Sequence, residues 1–352
     1  MTRENRPHYR AGVCILLLSG FLLVFGARVQ TARAAAQEIQ ISGQTMGTMY
    51  QIIVVRGGGD PDNLDDAISG RLQQVNRQMS TFIPTSEISR FNALTQTGRP
   101  FTISENFRQV MDLARQLYQL TDGAWDGTIA PLVNLWGFGA AGPTDQVPTH
   151  KKIRALLPHV GFNLIDVGPG ARLAKKDPAV TLDLASVAKG YGVDQVAALL
   201  TRRGFHHYLV EIGGEVYAAG HRPDGRPWRV GINRPERNAP FDAVYKVVAL
   251  SNRALATSGD YRNYFETGGR YYGHIIDPRT GMPVASGVVS VSVIADTCAL
   301  ADGLATGIMV MDVDKGLALI DRLACVACLI VVRTPDGRFV DHPSRTFPFE
   351  KR

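Results

Sequence analysis

Three groups of residues have the types and spacing to do chemistry. Asp302 and Thr306 stand four apart in a stretch with helical character, so their oxygens face the same side. A carboxylate and a hydroxyl on one helix face suit a hard cation such as Mg²⁺, which completes its shell with backbone oxygen, water and phosphate. Such a pair is ordinarily a solvated face. Here the neighbours Ala299, Ala301, Gly303, Ala305 and Gly307 are small and uncharged, which is odd in water and reasonable beside a ligand.

The second group lies in Thr181 to Leu200. Val180, Leu182 and Leu184 alternate with Thr181 and Asp183 as a short strand would. Small residues (Ala185, Ser186, Ala188, Gly190) then lead into a helix with Val193, Val196, Ala197 and Leu200 on one face. A strand that turns into a helix leaves backbone N–H groups free at the helix start, where the dipole favours a phosphate or carboxylate. Lys189 adds a full charge and Asp183 stands at the strand's end, although close packing alone also calls for small residues. The third group is His274, in a loop-rich segment. A lone histidine is more often structural, but it can serve as a general base near neutral pH.

A rival pattern shares these residues. Ser186-Val-Ala-Lys189, Tyr261-Arg-Asn263 and Arg279-Thr-Gly281 approximate the S-x-x-K, Y-x-N and K-T-G marks of serine β-lactamases and penicillin-binding proteins. Only 18 residues separate Tyr261 from Arg279, where that family inserts much of a helical domain, and the third motif is inexact. This alternative is minor.

The elements that must position these groups are mixed. Apolar residues at helical spacing predict helices over Leu64–Met79 and Ser104–Thr121, the latter capped by Ser104, with a short helix at 86–92. Strands are expected at 50–54, 164–167, 208–217 (two, joined at Gly213-Gly214), 228–232, 245–250 and 288–295. Asp296 or Thr297 can cap a helix from Cys298 to Met311, and a last helix and strand close the chain. Helices and strands do not alternate strictly, which points to α+β with a largely antiparallel sheet.

At 352 residues the chain can bury a sizeable core. Arg3, Arg6 and Arg10, an apolar run from Ala11 to Gly26 and small-x-small sites near Ala34 and Ala36 predict a cleaved signal peptide over 1–36. The run is short for a membrane span, Cys14 does not follow it as in a lipoprotein, and no twin arginine precedes it. An exported, periplasmic protein with no stable membrane anchor is expected, its mature part being 37–352. Five of the 38 basic and one of the 32 acidic residues lie in the leader, leaving 33 and 31, a net of about +2. Nothing argues for nucleic acid. Of the mature cysteines, Cys298, Cys325 and Cys328, the last two fall in ACVACLIVV, an apolar run that predicts buried structural thiols.

One ordered set of motifs covers nearly the whole mature chain. It runs through Thr45-Met46-Gly47-Thr48, Met79-Ser80-Thr81-Phe82, Ser86 to Asn92 and Asp122-Gly123-Ala124-Trp125-Asp126. It continues with Pro131 to Gly139, Asp183 to Tyr191, His274-Ile275-Ile276-Asp277-Pro278 and Ala301 to Thr306. This set resembles the ApbE-type FAD:protein FMN transferases. The resemblance implies a fold related to the T-fold class, FAD as substrate, Mg²⁺, and FMN transfer to a Thr or Ser hydroxyl of an exported redox protein. FMN-binding domains of membrane redox complexes would be the acceptors. By position, Met46 and Phe82 would pack on the flavin or adenine, and Ala124, Trp125, Asp126, Asp183 and Ile276 would line the FAD site. Lys189 would stand near the phosphates. Asp302, Thr306 and the backbone of Ala185 or Ser186 would hold the metal, with His274 the candidate base. Phe82 departs from the pattern, since many relatives are expected to carry Tyr there. FAD hydrolysis to FMN and AMP, or non-catalytic FAD carriage, are the competing functions.

Overall fold

The computed structural model describes residues 38–349 other than 145, 241 and 262; the expected leader lies outside them. The main sheet has eight strands in the order Glu38–Thr45, Thr48–Val55, Tyr208–Ile212, Glu215–Ala219, Arg253–Gly259, Val288–Ala295, Ala327–Arg333 and Phe339–Pro343. Every neighbouring pair is antiparallel. The α+β class expected from the mixed elements is the one observed.

Alternation along the strands sends side chains to two different cores. Ile52, Val54, Val210 and Ile212 face the helices, whereas Ile53, Val55 and Leu209 face the opposite side. The helical layer contains Leu64–Met79, Glu105–Leu120, Ala185–Arg202 and Cys298–Val310. The other face is covered by the hairpin Trp228–Asn233 and Val244–Leu250, whose Trp228, Ile232, Val248 and Leu250 join Val216, Leu255 and Leu329. Val288–Ala295 is therefore buried along its whole length, its serines included.

The long amphipathic helices lie where the apolar spacing predicts them, and Ser104 caps the second by accepting from Phe107 N–H at 3.2 Å. Three expectations about strands and thiols need correction. First, residues 180–184 form no regular strand; Thr181 makes only an isolated parallel bridge to Ile129. Their alternation reports burial of Val180, Leu182 and Leu184, while the Asn92 side-chain amide satisfies both backbone groups of Leu182. Second, the strand Arg253–Gly259 and the hairpin Tyr264–Thr267 with Arg270–Gly273 occupy a segment that reads as loop. Ala254, Ala256, Ser258 and Gly259 carry too little apolar bulk to announce a central strand. Third, Cys325 is exposed and precedes the last long strand; Cys298 and Cys328 are the buried thiols.

The helix Cys298–Val310 is buried nearly all round, which is why its residues are small and uncharged. Gly190 permits its approach to Ala185–Arg202: a Cβ there would sit 2.5 Å from the Cys298 carbonyl oxygen. Neither Asp296 nor Thr297 provides its cap. Asp194, from the facing helix, accepts from Cys298 N–H at 2.7 Å and Ala299 N–H at 2.9 Å. Burial pushes the Asp194 carboxyl up to about 6, against the pull of those two N–H groups. Asp194→Ala strands both donors in a dry interface, and urea unfolding is expected to register a loss of about 2 kcal/mol or more. A loss below about 0.5 kcal/mol would show that this cap is dispensable.

Candidate active site

Two cavities of about 450 Å³ each meet at the start of the helix Ala185–Arg202, and Asp183, Ala185 and Lys189 line both. Their sizes fall within the usual range for ligand clefts, about 300–1,000 Å³. One cavity holds Ala124, Trp125, Asp126, Ser186, His274, Ile276, Asp302 and Thr306, and so brings together residues up to 182 positions apart in the chain. The other holds Met46 and Phe82. Each residue that the family resemblance assigns to the site thus lines one of two joined lobes.

Met46 and Gly47 form the two-residue turn between the first strands, with φ of 51° and 73°. That left-handed turn is strained for methionine and directs the hairpin tip toward the second lobe. The Phe82 ring, 75% exposed, stands in the same lobe with one face available for a planar group. In the first lobe the Trp125 indole N–H donates to Ser186 Oγ at 2.9 Å, which fixes the serine hydroxyl at the helix start. Asp126 lines the lobe, but its carboxylate is engaged internally: Oδ1 accepts from Thr128 N–H and hydroxyl and Oδ2 from Phe162 N–H. The helix start is also less open than a bare strand–helix junction would be. Asp183 Oδ1 accepts from Ala185 N–H at 2.9 Å, so one helix-start donor already holds a carboxylate.

Charge is concentrated where the lobes meet. Lys189 Nζ lies 2.7 Å from Oε1 of Glu215, a buried carboxylate on the strand following Gly213-Gly214. Burial alone would lower the lysine's pKa; the Asp302 and Glu215 carboxylates more than reverse that, and the ammonium stays charged. Burial raises the Glu215 carboxyl, the nearby Asp302 charge adds to this, and the Lys189 ammonium pulls against both. Asp302, also buried, is raised by desolvation against the pull of Lys189 and of Gly190 N–H, which donates to its Oδ2 at 3.0 Å. Burial raises Asp183 as well. Two buried carboxylates, Glu215 and Asp302, bear on one ammonium, and a cation beside Asp302 would offset the cost of keeping both ionised.

The donor set fits Mg²⁺. Asp302 and Thr306 offer hard oxygens from one helix, and Thr306 Oγ1 is held by Ser258 Oγ at 2.9 Å, from the strand the sequence concealed. Among the described residues no three His, Cys, Asp or Glu side chains converge as a complete cage. Mg²⁺ commonly takes one or two protein carboxylates and fills its shell with waters and substrate phosphates.

His274 stands in the first lobe beside the edge of the Phe138 ring. Its Nδ1 lies 3.0 Å from the Asn263 carbonyl oxygen, which can only accept; Nδ1 therefore carries the proton and Nε2 keeps a free lone pair. Burial lowers the imidazole's pKa, the Lys189 charge lowers it further, and the Asn263 carbonyl partly offsets both. A neutral imidazole with Nε2 unprotonated is a base ready at neutral pH. Sequence reasoning did not single out Glu215 or Ser258, and it named Asn263 only as part of the rival Y-x-N pattern. The only signal for Glu215 was a carboxylate directly after paired glycines in an otherwise apolar run.

Comparison with known proteins follows the same lines. A sequence profile described as the ApbE family matches residues 46–330. An FAD:protein FMN transferase of Vibrio cholerae serotype O1 is 41% identical over 338 residues, 95% of this chain and 98% of its own. One of Haemophilus influenzae is 38% identical over 338 residues, 94% and 97% of the two chains. The solved flavin transferase ApbE from Vibrio cholerae has a TM-score of 0.80 at 42% identity, covering 89% of this chain and 98% of that one. The apo form of the Pseudomonas stutzeri flavinyl transferase ApbE has a TM-score of 0.79 at 39% identity, covering 88% and 96%. Fold and sequence together make this protein an enzyme of the flavin-transferase class. The chain belongs to the ApbE family.

Proposed function

We propose that the two-lobed cleft transfers FMN from FAD, in the presence of Mg²⁺, to a Thr or Ser hydroxyl of an acceptor protein and releases AMP. The observation that carries this is the meeting of Lys189, Asp302, Thr306 and a neutral, oriented His274 in one cavity. The lobes suit an elongated ligand with planar ends and an anionic middle, which describes FAD. Its diphosphate lies beside Lys189, and Phe82 and Met46 pack on one planar end.

In the reaction the acceptor hydroxyl attacks the FMN-side phosphorus and gives its proton to His274 Nε2. The bond from that phosphorus to the bridging oxygen breaks, and AMP leaves with that oxygen. Lys189 holds a full positive charge against the phosphate oxygens throughout. Asp302 and Thr306, with the backbone at Ala185 or Ser186, would hold Mg²⁺. Bound there, the metal supplies further neutralisation of the diphosphate. The buried walls keep water from competing with the hydroxyl.

The basic, apolar and small-residue pattern of residues 1–36 supports export to the periplasm. Among the described residues no helix is long and apolar enough to cross a membrane. FMN-binding domains of membrane redox complexes are the acceptors we propose, with residues 37–352 acting as one flavin-transferase domain. The test is stoichiometry. Protein-bound FMN and AMP appear in equal amounts, and peptide mapping places the flavin phosphate on a Thr or Ser. Free FMN in place of bound FMN would mark a pyrophosphatase, and intact bound FAD a carrier.

Phe82→Ala is expected to weaken FAD binding about two- to tenfold, the worth of one stacking contact of about 0.5–1.5 kcal/mol. The ring is largely exposed, so the melting temperature stays unchanged. Fluorescence titration with FAD checks this, and an unchanged affinity would remove Phe82 from the binding surface.

A further inference from the structure

We infer that the outer face of the hairpin Tyr264–Gly273, with the groove beside Arg237, is the docking surface for the acceptor protein, which meets it through an acidic segment next to its reactive hydroxyl. This rests on the transferase activity proposed above, which requires a protein to reach His274.

The hairpin is two-sided. On its inner face Phe265 and Tyr272 stack on each other at 5.2 Å, and Tyr272 stacks on Trp136 at 5.5 Å. On its outer face Tyr264 and Tyr271 meet edge to face at 5.5 Å and are 36% and 48% exposed. Arg237 lies over both rings, 3.6 Å from the Tyr271 centroid and 4.8 Å from that of Tyr264. These residues, with Glu236, Arg333 and Phe339, bound a groove of about 480 Å³. Glu236 is paired with Arg234 at 2.7 Å, and Arg333 donates to the Pro235 carbonyl. Among the described residues Arg237 is in no ion pair within 4 Å. The half-buried Asp260 feels its charge, and the exposed Glu266 stands across from Tyr271 on the same face. Arg237 is thus the one cation of the groove held between exposed tyrosines without a direct carboxylate contact. Tyrosine and arginine are the residues that dominate protein–protein hot spots, and an unpaired guanidinium selects a carboxylate.

The groove also adjoins the proposed base along the chain: Tyr264 lines the groove, and its neighbour Asn263 lines the His274 lobe. Tyr264 pairs with Gly273 across the hairpin, and the next residue on each strand is Asn263 or His274. The Asn263 carbonyl accepts from both the backbone N–H and the ring Nδ1 of His274. A protein seated on the outer face would thus approach the His274 lobe from the hairpin's base.

The test measures the affinity of an FMN-free acceptor domain for the enzyme by fluorescence anisotropy, and separately the affinity for FAD. Arg237→Glu and Tyr271→Ala are surface changes and are expected to weaken acceptor binding about tenfold or more, the former most strongly at low salt. FAD affinity is expected to stay within about twofold of wild type. Unchanged acceptor affinity, or a parallel loss of FAD affinity, would overturn the docking surface. A wild-type enzyme that neither binds nor flavinylates the domain would overturn the transferase proposal, and this one with it. Unchanged binding by variants of an enzyme that does transfer FMN would overturn this one alone.

Discussion

Asp302→Asn is expected to lower FMN transfer about a hundred- to a thousand-fold while leaving the fold intact. The asparagine side-chain oxygen still accepts from Gly190 N–H, so the contact between the two central helices survives. What disappears is a buried negative charge beside Thr306, where a hard cation would bind. Removing one such charge-stabilising group from a dry site typically costs about 10²–10³ in rate. Stability gives a second readout. Because Asp302 is one of two buried carboxylates that share one ammonium, its neutralisation relieves desolvation, and the metal-free variant melts at or above the wild type. Mg²⁺ raises the wild-type melting temperature by preferential binding to the folded state, and that increment vanishes in the variant. A variant that keeps both the transfer rate and the Mg²⁺ increment would remove Asp302 from the metal site.

The second large effect belongs to His274. Replacement by Asn is expected to lower kcat about 10²–10⁴-fold, the range for a lost general base, with little change in FAD affinity. The pH dependence follows from the environment. Activity needs the neutral imidazole, and burial together with the Lys189 charge lowers its pKa below the ordinary 6.5. The transfer rate is therefore flat at neutral pH and falls with acid only below that ordinary value. Lys189→Met removes the repelling charge, so the acid limb moves to higher pH while the plateau also drops. A limb that stays in place in Lys189→Met, or persists in His274→Asn, would assign the titration to another group.

Much of this site was legible because its residues sit on elements with strong local signals. Asp302 and Thr306 lie on a helix whose small residues betray close packing, and Gly190 shows what that packing requires. The helix start after Asp183 was equally plain, although its approach is an extended segment held by Asn92 and not a strand. What stayed hidden depends on contacts between distant segments. Asp194 caps a helix more than a hundred positions away, and nothing near Cys298 announces it. Ser258 lies on a strand of small residues with too little hydrophobic pattern to be seen. Glu215 becomes remarkable in charge terms only when the fold buries it against Lys189. Periodicity reports which face of an element is dry, whereas the partner across the interface is a tertiary fact.

The central claim is that this cleft joins FMN to a protein. Intact mass spectrometry of an FMN-accepting domain, incubated with the mature enzyme, FAD and Mg²⁺, tests it most directly. The predicted result is a gain of one FMN per domain, absent with EDTA, with Asp302→Asn, or when the acceptor hydroxyl is removed. An acceptor of unchanged mass, in a mixture where FAD has become free FMN and AMP, would contradict it.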